Sequence, residues 1–505
     1  MERFFRISLS AFGVLFVVAL LTLGGCSGED SPTNPNPIDT TDNNDTTGNQ
    51  DTNTVTIDER IRPVIFVHGT NEAADVFTQL VQRFALNGYT EAQLVAFDFE
   101  SYFTGSEIDI AKMAAQLQTR VNAMLAGTTE KRVDVVAHGS GANAVQHWLV
   151  NMGGTDKAAH VAFVGGSYDL ALTVAGDITP GSCEYLTLRS DGKDAIQNGN
   201  SQYGSLTGAT NEVYAGYDNL QLVSEADPFE RMFRFFTGGA PTEKNMPNSR
   251  IGMSYDIKAR VVDFIDNTPI SGATVVPMKI RVLSNGEIQR QSSTTVLTSD
   301  VNGEISFSDI VGPDQHIELW VRSGTQAYYD MHIYRQPWRA NSHTERLRVI
   351  PRSPSGSDPL RAYAGAMRTG NHAIMAVMSQ NRTLQHGRDN ITVRRYNSAY
   401  DPIGEAAVLT QGNAPVPGGT AQNGNTWFVS LFDYDNNGSD GTGPIAAPGL
   451  NLWGINSFDC YLDATTTNFQ TQFDLNGTVL GVFNYRSSNQ SGGNNAGINI
   501  VQFEY

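Results

Sequence analysis

Arg132-Val133-Asp134-Val135-Val136-Ala137-His138-Gly139-Ser140-Gly141-Ala142-Asn143-Ala144 is the stretch that decides the fold. A valine-rich apolar run, a Gly-Ser-Gly punctuation and a small-residue apolar continuation predict a buried strand, a sharp turn and a helix. A turn this tight holds a side chain at its apex only when the residues two positions either side are small, the form small-x-nucleophile-x-small. Centred on Gly139, the form finds Ala137 and Gly141 in its two small positions. Centred on Ser140, it finds His138 where a small residue is required. The frame that fits therefore has Gly139 in the nucleophile slot, with Ser140 as the alternative nucleophile.

The same organisation extends to both sides. Val64-Ile65-Phe66-Val67 is wholly apolar and stops at His68-Gly69-Thr70-Asn71. Leu94–Phe97, His160–Val164, Glu184–Leu188 and Asn211–Tyr214 read as further strands. Phe77 to Leu86, Ile108 to Leu125, the stretch after the turn to Met152, and Pro228–Phe236 have helical spacing of apolar residues. Strands apolar on both faces, alternating with helices, predict an α/β domain over residues 58–245, built on a mostly parallel sheet with flanking helices.

Beyond it the period changes. Ala259–Asp263, Thr268–Val275 and Thr298–Phe307 are short alternating strands joined by Pro, Gly and Asp-x-Asn-Gly turns, which predicts a small β-sandwich over 254–350. Residues 353–505 are Gly-, Asn-, Ser- and Thr-punctuated strands such as Trp427–Phe432, Val479–Tyr485 and Gly497–Phe503, a second all-β domain, sandwich or barrel. The formal net charge of −18 excludes a phosphate footprint, which needs clustered Lys and Arg, so no nucleic-acid partner is expected.

The N-terminus reads as a secretory signal: Arg3 and Arg6 precede an apolar run from Ile7 to Leu23 that is wrongly flanked for a spanning helix. The run ends in Leu23-Gly24-Gly25-Cys26, which resembles the bacterial lipobox. That resemblance implies removal of residues 1–25 and diacylation of Cys26, giving a lipoprotein anchored in the cell envelope. Several acyl chains on one residue hold a protein on a membrane durably. Ser27 follows the cysteine in place of Asp, which in a Gram-negative cell implies the outer membrane. Residues 26–57 have almost no apolar side chains and read as a disordered tether. Of the other cysteines, Cys183 and Cys460 fall in different predicted domains, and no bridge between them is predicted.

Pro63–Thr70, Val133–His138, Ser190 through Ile196 and Gly208-Ala209-Thr210-Asn211 together resemble a compact bacterial lipase or esterase of the α/β-hydrolase superfamily, with order and spacing kept over residues 62–240. Residues 257–322 resemble the transthyretin-like module of carboxypeptidase regulatory domains. The lipase resemblance implies a nucleophile at the turn, a carboxylate after a later strand and a histidine after the last strand. Asp194, with Asp191 second, falls in the carboxylate slot, while Asn219 falls in the histidine slot. No histidine occurs between His160 and His316. An asparagine does not take up a proton near neutral pH, so it cannot activate a hydroxyl. The implied triad thus lacks both nucleophile and base, and the expectation is a catalytically degenerate domain that acts in binding or surface interaction. A working ester hydrolase using Ser140 is the alternative.

What remains is a receptacle. The N–H groups of Ser140 and of Thr70 or Asn71 are placed to form an oxyanion-type nest for a carboxylate or acyl ligand, and an unoccupied relic pocket is the alternative. One further motif, Asp433-Tyr434-Asp435-Asn436-Asn437-Gly438-Ser439-Asp440, spaces oxygen ligands at Asp433, Asp435 and Asn437, with Asp440 beyond, as a Ca²⁺ loop does. Pro444 occupies the position of the usual bidentate Glu, and an Asp/Asn-rich hairpin loop explains the pattern equally well. Trp320, Trp338, Trp427 and Trp453 are expected in the core rather than on a ligand platform.

Overall fold

Six parallel strands form the first sheet, in the order β2-β1-β3-β4-β5-β6. They are β1 (Val64–Val67), β2 (Leu94–Phe97), β3 (Val133–His138), β4 (Ala158–Val164), β5 (Glu184–Ser190) and β6 (Thr210–Tyr214). The computed structural model describes residues 61–351 apart from 70–71, 105–106, 166–182, 191–205, 207, 249 and several turns of the β segments, and most strands between 373 and 503. The segment ahead of residue 61, with Cys26, and the 433–440 loop lie outside the described residues.

The wholly apolar strands are explained by the layers around them. Ile65, Val67, Val133, Val135, Ala137, Val161 and Phe163 point to one side, onto α2 (Ile110–Ala126) and α3 (Gly141–Asn151). Val64, Phe66, Val136, Ala162 and Val164 point to the other, onto α1 (Thr78–Leu86) and α4 (Ala226–Thr237). Successive residues of a strand alternate faces, so a sheet covered on both sides needs apolar residues at every step. On the second side Phe84 packs edge-on to Tyr89 at 5.1 Å and to Phe229 at 5.2 Å. Each such fully buried aromatic contributes about 1.5–3 kcal/mol of apolar burial. Helix α2 is started by Asp109, whose Oδ1 accepts the Lys112 N–H at 2.9 Å.

The β segments follow. A three-stranded sheet of β7 (Ser254–Asp263), β10 (Glu304–Ile310) and β13 (Ser342–Val349) has the order β10-β7-β13. It faces strands β8 (Thr274–Val282), β11 (Gln315–Arg322) and β12 (Asp330–Arg335) across one core that includes Ile257, Val261, Val275, Leu319, Ile333 and Leu347. β9 (Ile288–Gln291) extends this second sheet at β8. The second sheet does not end there. The C-terminal strand Gly497–Phe503 pairs in parallel with β12 on one side and with Ala373–Ser379 on the other, so ten strands run through both β segments. Trp338 is buried in the sandwich and donates its N–H to Glu345 at 2.8 Å, and Trp320 is half-buried. The side chains of Trp427 and Trp453 lie outside the described residues. Cys183 is a free, buried thiol whose burial pushes its pKa up to about 11.

The sandwich and the α/β domain are joined by buried charge. The Asp98 carboxylate accepts from Arg346 Nε at 2.7 Å, Arg260 Nη1 at 3.1 Å and the Ala74 N–H at 2.9 Å. Burial alone would raise its pKa, but the Arg346 guanidinium and the other cations overcome that and hold it down to about 2. Arg348 pairs with Asp75 at 2.9 Å, and the Thr78 and Thr344 hydroxyls meet at 2.7 Å.

Candidate active site

Strand β3 delivers the turn. Gly139 has φ +54°, donates its N–H to Val164 O at 3.0 Å, and is followed by Ser140 at φ −70°, ψ −11°, where α3 begins. The left-handed residue, which is where this kind of elbow holds its strained apex, is Gly139 rather than Ser140. The steric demand two residues on is visible at Gly141, where a Cβ would lie 2.5 Å from His68 O and 2.7 Å from Val67 O. At Gly139 itself a Cβ would meet, among the described residues, only Gly69 Cα at 3.9 Å. Ser140 N and Oγ lie 3.2 and 3.3 Å from the point a Cβ on Gly69 would occupy.

Asn219 follows β6 through Gly216 and a turn in which Asp218 Oδ1 accepts the N–H groups of Leu220 and Gln221, each at 3.0 Å. Its side chain is laid against Gly165, where any Cβ would collide with Asn219 Oδ1. Its backbone carbonyl accepts from His138 Nε2 at 3.1 Å. The structure thus brings Gly139, Ser140 and Asn219 to one end of the sheet. Thr70, Asn71, Asp191 and Asp194 lie outside the described residues.

A residue with no sequence signal completes the arrangement. Glu72 Oε2 accepts the Gly69 N–H at 2.7 Å and the His138 Nδ1–H at 2.9 Å. It lies 3.0 Å from the same Gly69 Cβ point as the Ser140 atoms. His138 is 2% exposed, and both its ring nitrogens face oxygen acceptors, a set that only the doubly protonated imidazolium satisfies. Burial acts to raise the Glu72 pKa, but the His138 charge, its hydrogen bond and the Gly69 N–H hold it below the ordinary value. His138 therefore has no free lone pair with which to act as a base. His68 has none either. Its Nδ1–H donates to Gly69 O at 2.6 Å, its Nε2 accepts the Phe99 N–H at 3.0 Å, and burial lowers its pKa and keeps the ring neutral. Glu72 lacked a local signal because its partner is 66 residues away; only its place just beyond His68-Gly69 marks it.

The sandwich reaches this rim. Asn267, left-handed at φ +57° and 1% exposed, donates its Nδ2–H to Glu72 O at 2.9 Å. Beside it Asp266 O accepts the Ser101 N–H at 3.0 Å, and Ile265 O accepts the Tyr102 hydroxyl at 3.3 Å.

Residues 61–168, which include β1 to β4 and the elbow, match the family model of class 2 lipases. Among solved structures, the chain is similar to the mature lipase BlEst2 of Bacillus licheniformis, at 16% identity and TM-score 0.27 over 35% of this chain and 92% of that one. It is similar to the propeptide form of the same lipase, at 12% identity and TM-score 0.27 over 84% and 92%. The esterase RhEst1 from Rhodococcus matches at 13% identity and TM-score 0.27 over 35% and 91%. The family match and the parallel sheet with its elbow make the first folded part of the chain a lipase-like α/β-hydrolase domain, followed by β sheets.

Proposed function

We propose that the chain is a membrane-anchored lipoprotein whose lipase-like domain has lost ester turnover and works as a binding element at the cell envelope. The observation that carries the reading is the glycine at the strained apex of the elbow. A hydrolase of this design attacks with the side chain at that residue, and Gly139 has none. Among the described residues no group is placed as a base: Asn219 stands after the last strand of the sheet, and both nearby histidines have their nitrogens committed. In enzymes of this logic the loss of nucleophile or base costs roughly 10⁶-fold in kcat. The anchor rests on the lipobox-like Leu23-Gly24-Gly25-Cys26, with Cys26 carrying the lipid and the outer membrane as the location. The Ca²⁺ role of the 433–440 loop has only its ligand spacing in support.

The test is hydrolysis of short- and medium-chain p-nitrophenyl esters by the purified full-length protein, beside Ser140→Ala and the double variant Gly139→Ser/Asn219→His. The expected result is a silent wild type and measurable turnover in the double variant, whose new serine Cβ meets only Gly69 Cα among the described residues, at 3.9 Å. Wild-type turnover abolished by Ser140→Ala would overturn the reading and make Ser140 the nucleophile.

A further inference from the structure

Strand β10 is terminal in its three-stranded sheet, and its register with β7 is regular from Glu304↔Arg260 to Ile310↔Ser254. The Val261 N–H donates to Gly303 O at 2.8 Å. Antiparallel pairs alternate between bonded and non-bonded, so Glu304, Ser306 and Ser308 turn their N–H and C=O groups away from β7. At Glu304 a turn meets them: Asp300 Oδ1 accepts the Glu304 N–H at 2.8 Å, and the Asp300 N–H donates to Glu304 O at 3.1 Å. At Ser306 and Ser308 no backbone partner follows among the described residues.

Space runs along this edge. Glu304, Ile305 and Ser306 line a cavity of about 790 Å³ together with Val95 and Ala96 of β2 and Arg120 of α2. Phe307, Ser308 and Asp309 line a second, of about 310 Å³, with Met278 and Gln291. An uncovered edge strand is a template for another strand. Here the edge is recessed between walls, which keeps out the folded sheet edge of a second copy and admits a single extended segment. Leu297 and Phe307, both packed against the sandwich core, give the groove an apolar side. Glu304 and Asp300 are exposed carboxylates at one end of it. The neighbouring cations are already engaged, Lys258 by Glu91 and Arg260 by Asp98 and Glu100.

We propose that the outer edge of β10 is a docking site for an extended segment of a partner protein, which adds to the three-stranded sheet, sets alternate apolar residues toward Leu297 and Phe307, and places a Lys or Arg beside Glu304. Backbone pairing at Ser306 and Ser308 holds the segment, and the carboxylates select its charge. The site stands apart from the elbow and does not depend on whether the α/β domain turns over esters.

The experiment is fluorescence anisotropy of the labelled peptide Thr-Val-Lys-Val-Thr-Val-Thr with the full-length protein. The expected result is saturable binding, weakened at least about tenfold when alternate backbone nitrogens of the peptide are methylated, the scale of one or two hydrogen bonds. Ser306→Pro removes an edge N–H that takes no part in the β7 ladder, and is expected to weaken binding about tenfold. Glu304→Lys is expected to reverse the preference for this peptide over one with Glu in place of Lys. No binding by the wild type, equal binding of the methylated peptide, unchanged binding by a folded Ser306→Pro protein, or an unchanged charge preference in Glu304→Lys would each overturn the proposal. A dimer in sedimentation that Ser306→Pro dissociates would assign the edge to a second copy and overturn it as well. Should Ser306→Pro fail to fold, the methylated peptide on the wild type and the Glu304→Lys comparison decide it.

Discussion

Strand β3 carries two acid–imidazole pairs on one face, and they differ in how completely they are satisfied. At its C-terminal end His138 is held between Glu72 and the Asn219 carbonyl, with the Gly69 N–H on the same carboxylate oxygen. Four residues earlier, Asp134 Oδ1 meets His160 Nδ1 at 2.7 Å, while its Oδ2 is buried with no partner. The pKa directions separate accordingly. Burial dominates at Asp134 and raises it, whereas at Glu72 burial is outweighed by His138 and the amide. Pairing an acid with a histidine does not by itself produce either a charged latch or a catalytic dyad. The backbone groups that complete the set decide which form is stable, and only the pair at the strand's C-terminal end has the elbow beside it.

Asp98 supplies the limiting case, a carboxylate with two guanidiniums and an amide. Arg346→Ala removes the shorter of the two guanidinium contacts and is expected to cost about 3–5 kcal/mol, the penalty for stranding a buried charge. Loss of cooperativity between the α/β domain and the sandwich in urea unfolding would accompany it, and a cost below about 1 kcal/mol would mean that Arg260 suffices alone. His138→Ala comes next. It leaves Glu72 with the Gly69 N–H alone, but the carboxylate is 17% exposed and reaches water, so the expected loss is smaller, about 2–3 kcal/mol. A cost equal to that of Arg346→Ala would show Glu72 to be as sealed as Asp98.

Acid titration sharpens the contrast by sign. Glu72 is held below its ordinary 4.5, so its contribution is complete above that value and is lost as pH falls through the folded-state pKa. Asp134 is held above its ordinary 3.8, so protonation favours the folded state, and that preference is lost as pH rises through the folded-state pKa. The stability difference between wild type and Glu72→Gln should therefore shrink toward acid, while that between wild type and Asp134→Asn should grow. Parallel slopes in the two variants would contradict the assignment of opposite directions.

The sheet was legible because its physics is local. Val64–Val67 and Leu94–Phe97 have in the structure the bounds that their sequence predicts, since two-sided burial writes itself as unbroken apolar runs. The steric frame at 137–141 puts Gly139 in the nucleophile slot, and in the structure that residue has φ +54°. What escaped depends on distant partners. Nothing in Gly497–Phe503 says that it will lie between Asp330–Arg335 and Ala373–Ser379, because alternation gives a strand's faces and not its neighbours. Glu72 and Asn267 escaped for the same reason. A lone acid after a turn and an asparagine in a hairpin look like solvated loop residues until His138 and the sandwich come into contact with them.

The smallest expected effect belongs to Asp134→Asn. The amide keeps an oxygen for the His160 Nδ1–H and places its NH₂ where Oδ2 now has no partner. One unpaired buried group replaces another, and the desolvation penalty of a charge disappears, so the change in stability near neutral pH should stay within about 1 kcal/mol. Thermal unfolding beside His138→Ala checks it. The same carboxylate chemistry on the same strand would then differ at least about twofold in consequence, because at one end the backbone completes the pair and at the other it does not. A loss above about 2 kcal/mol for Asp134→Asn would mean that Oδ2 has a partner, and the two ends of β3 would no longer differ in kind.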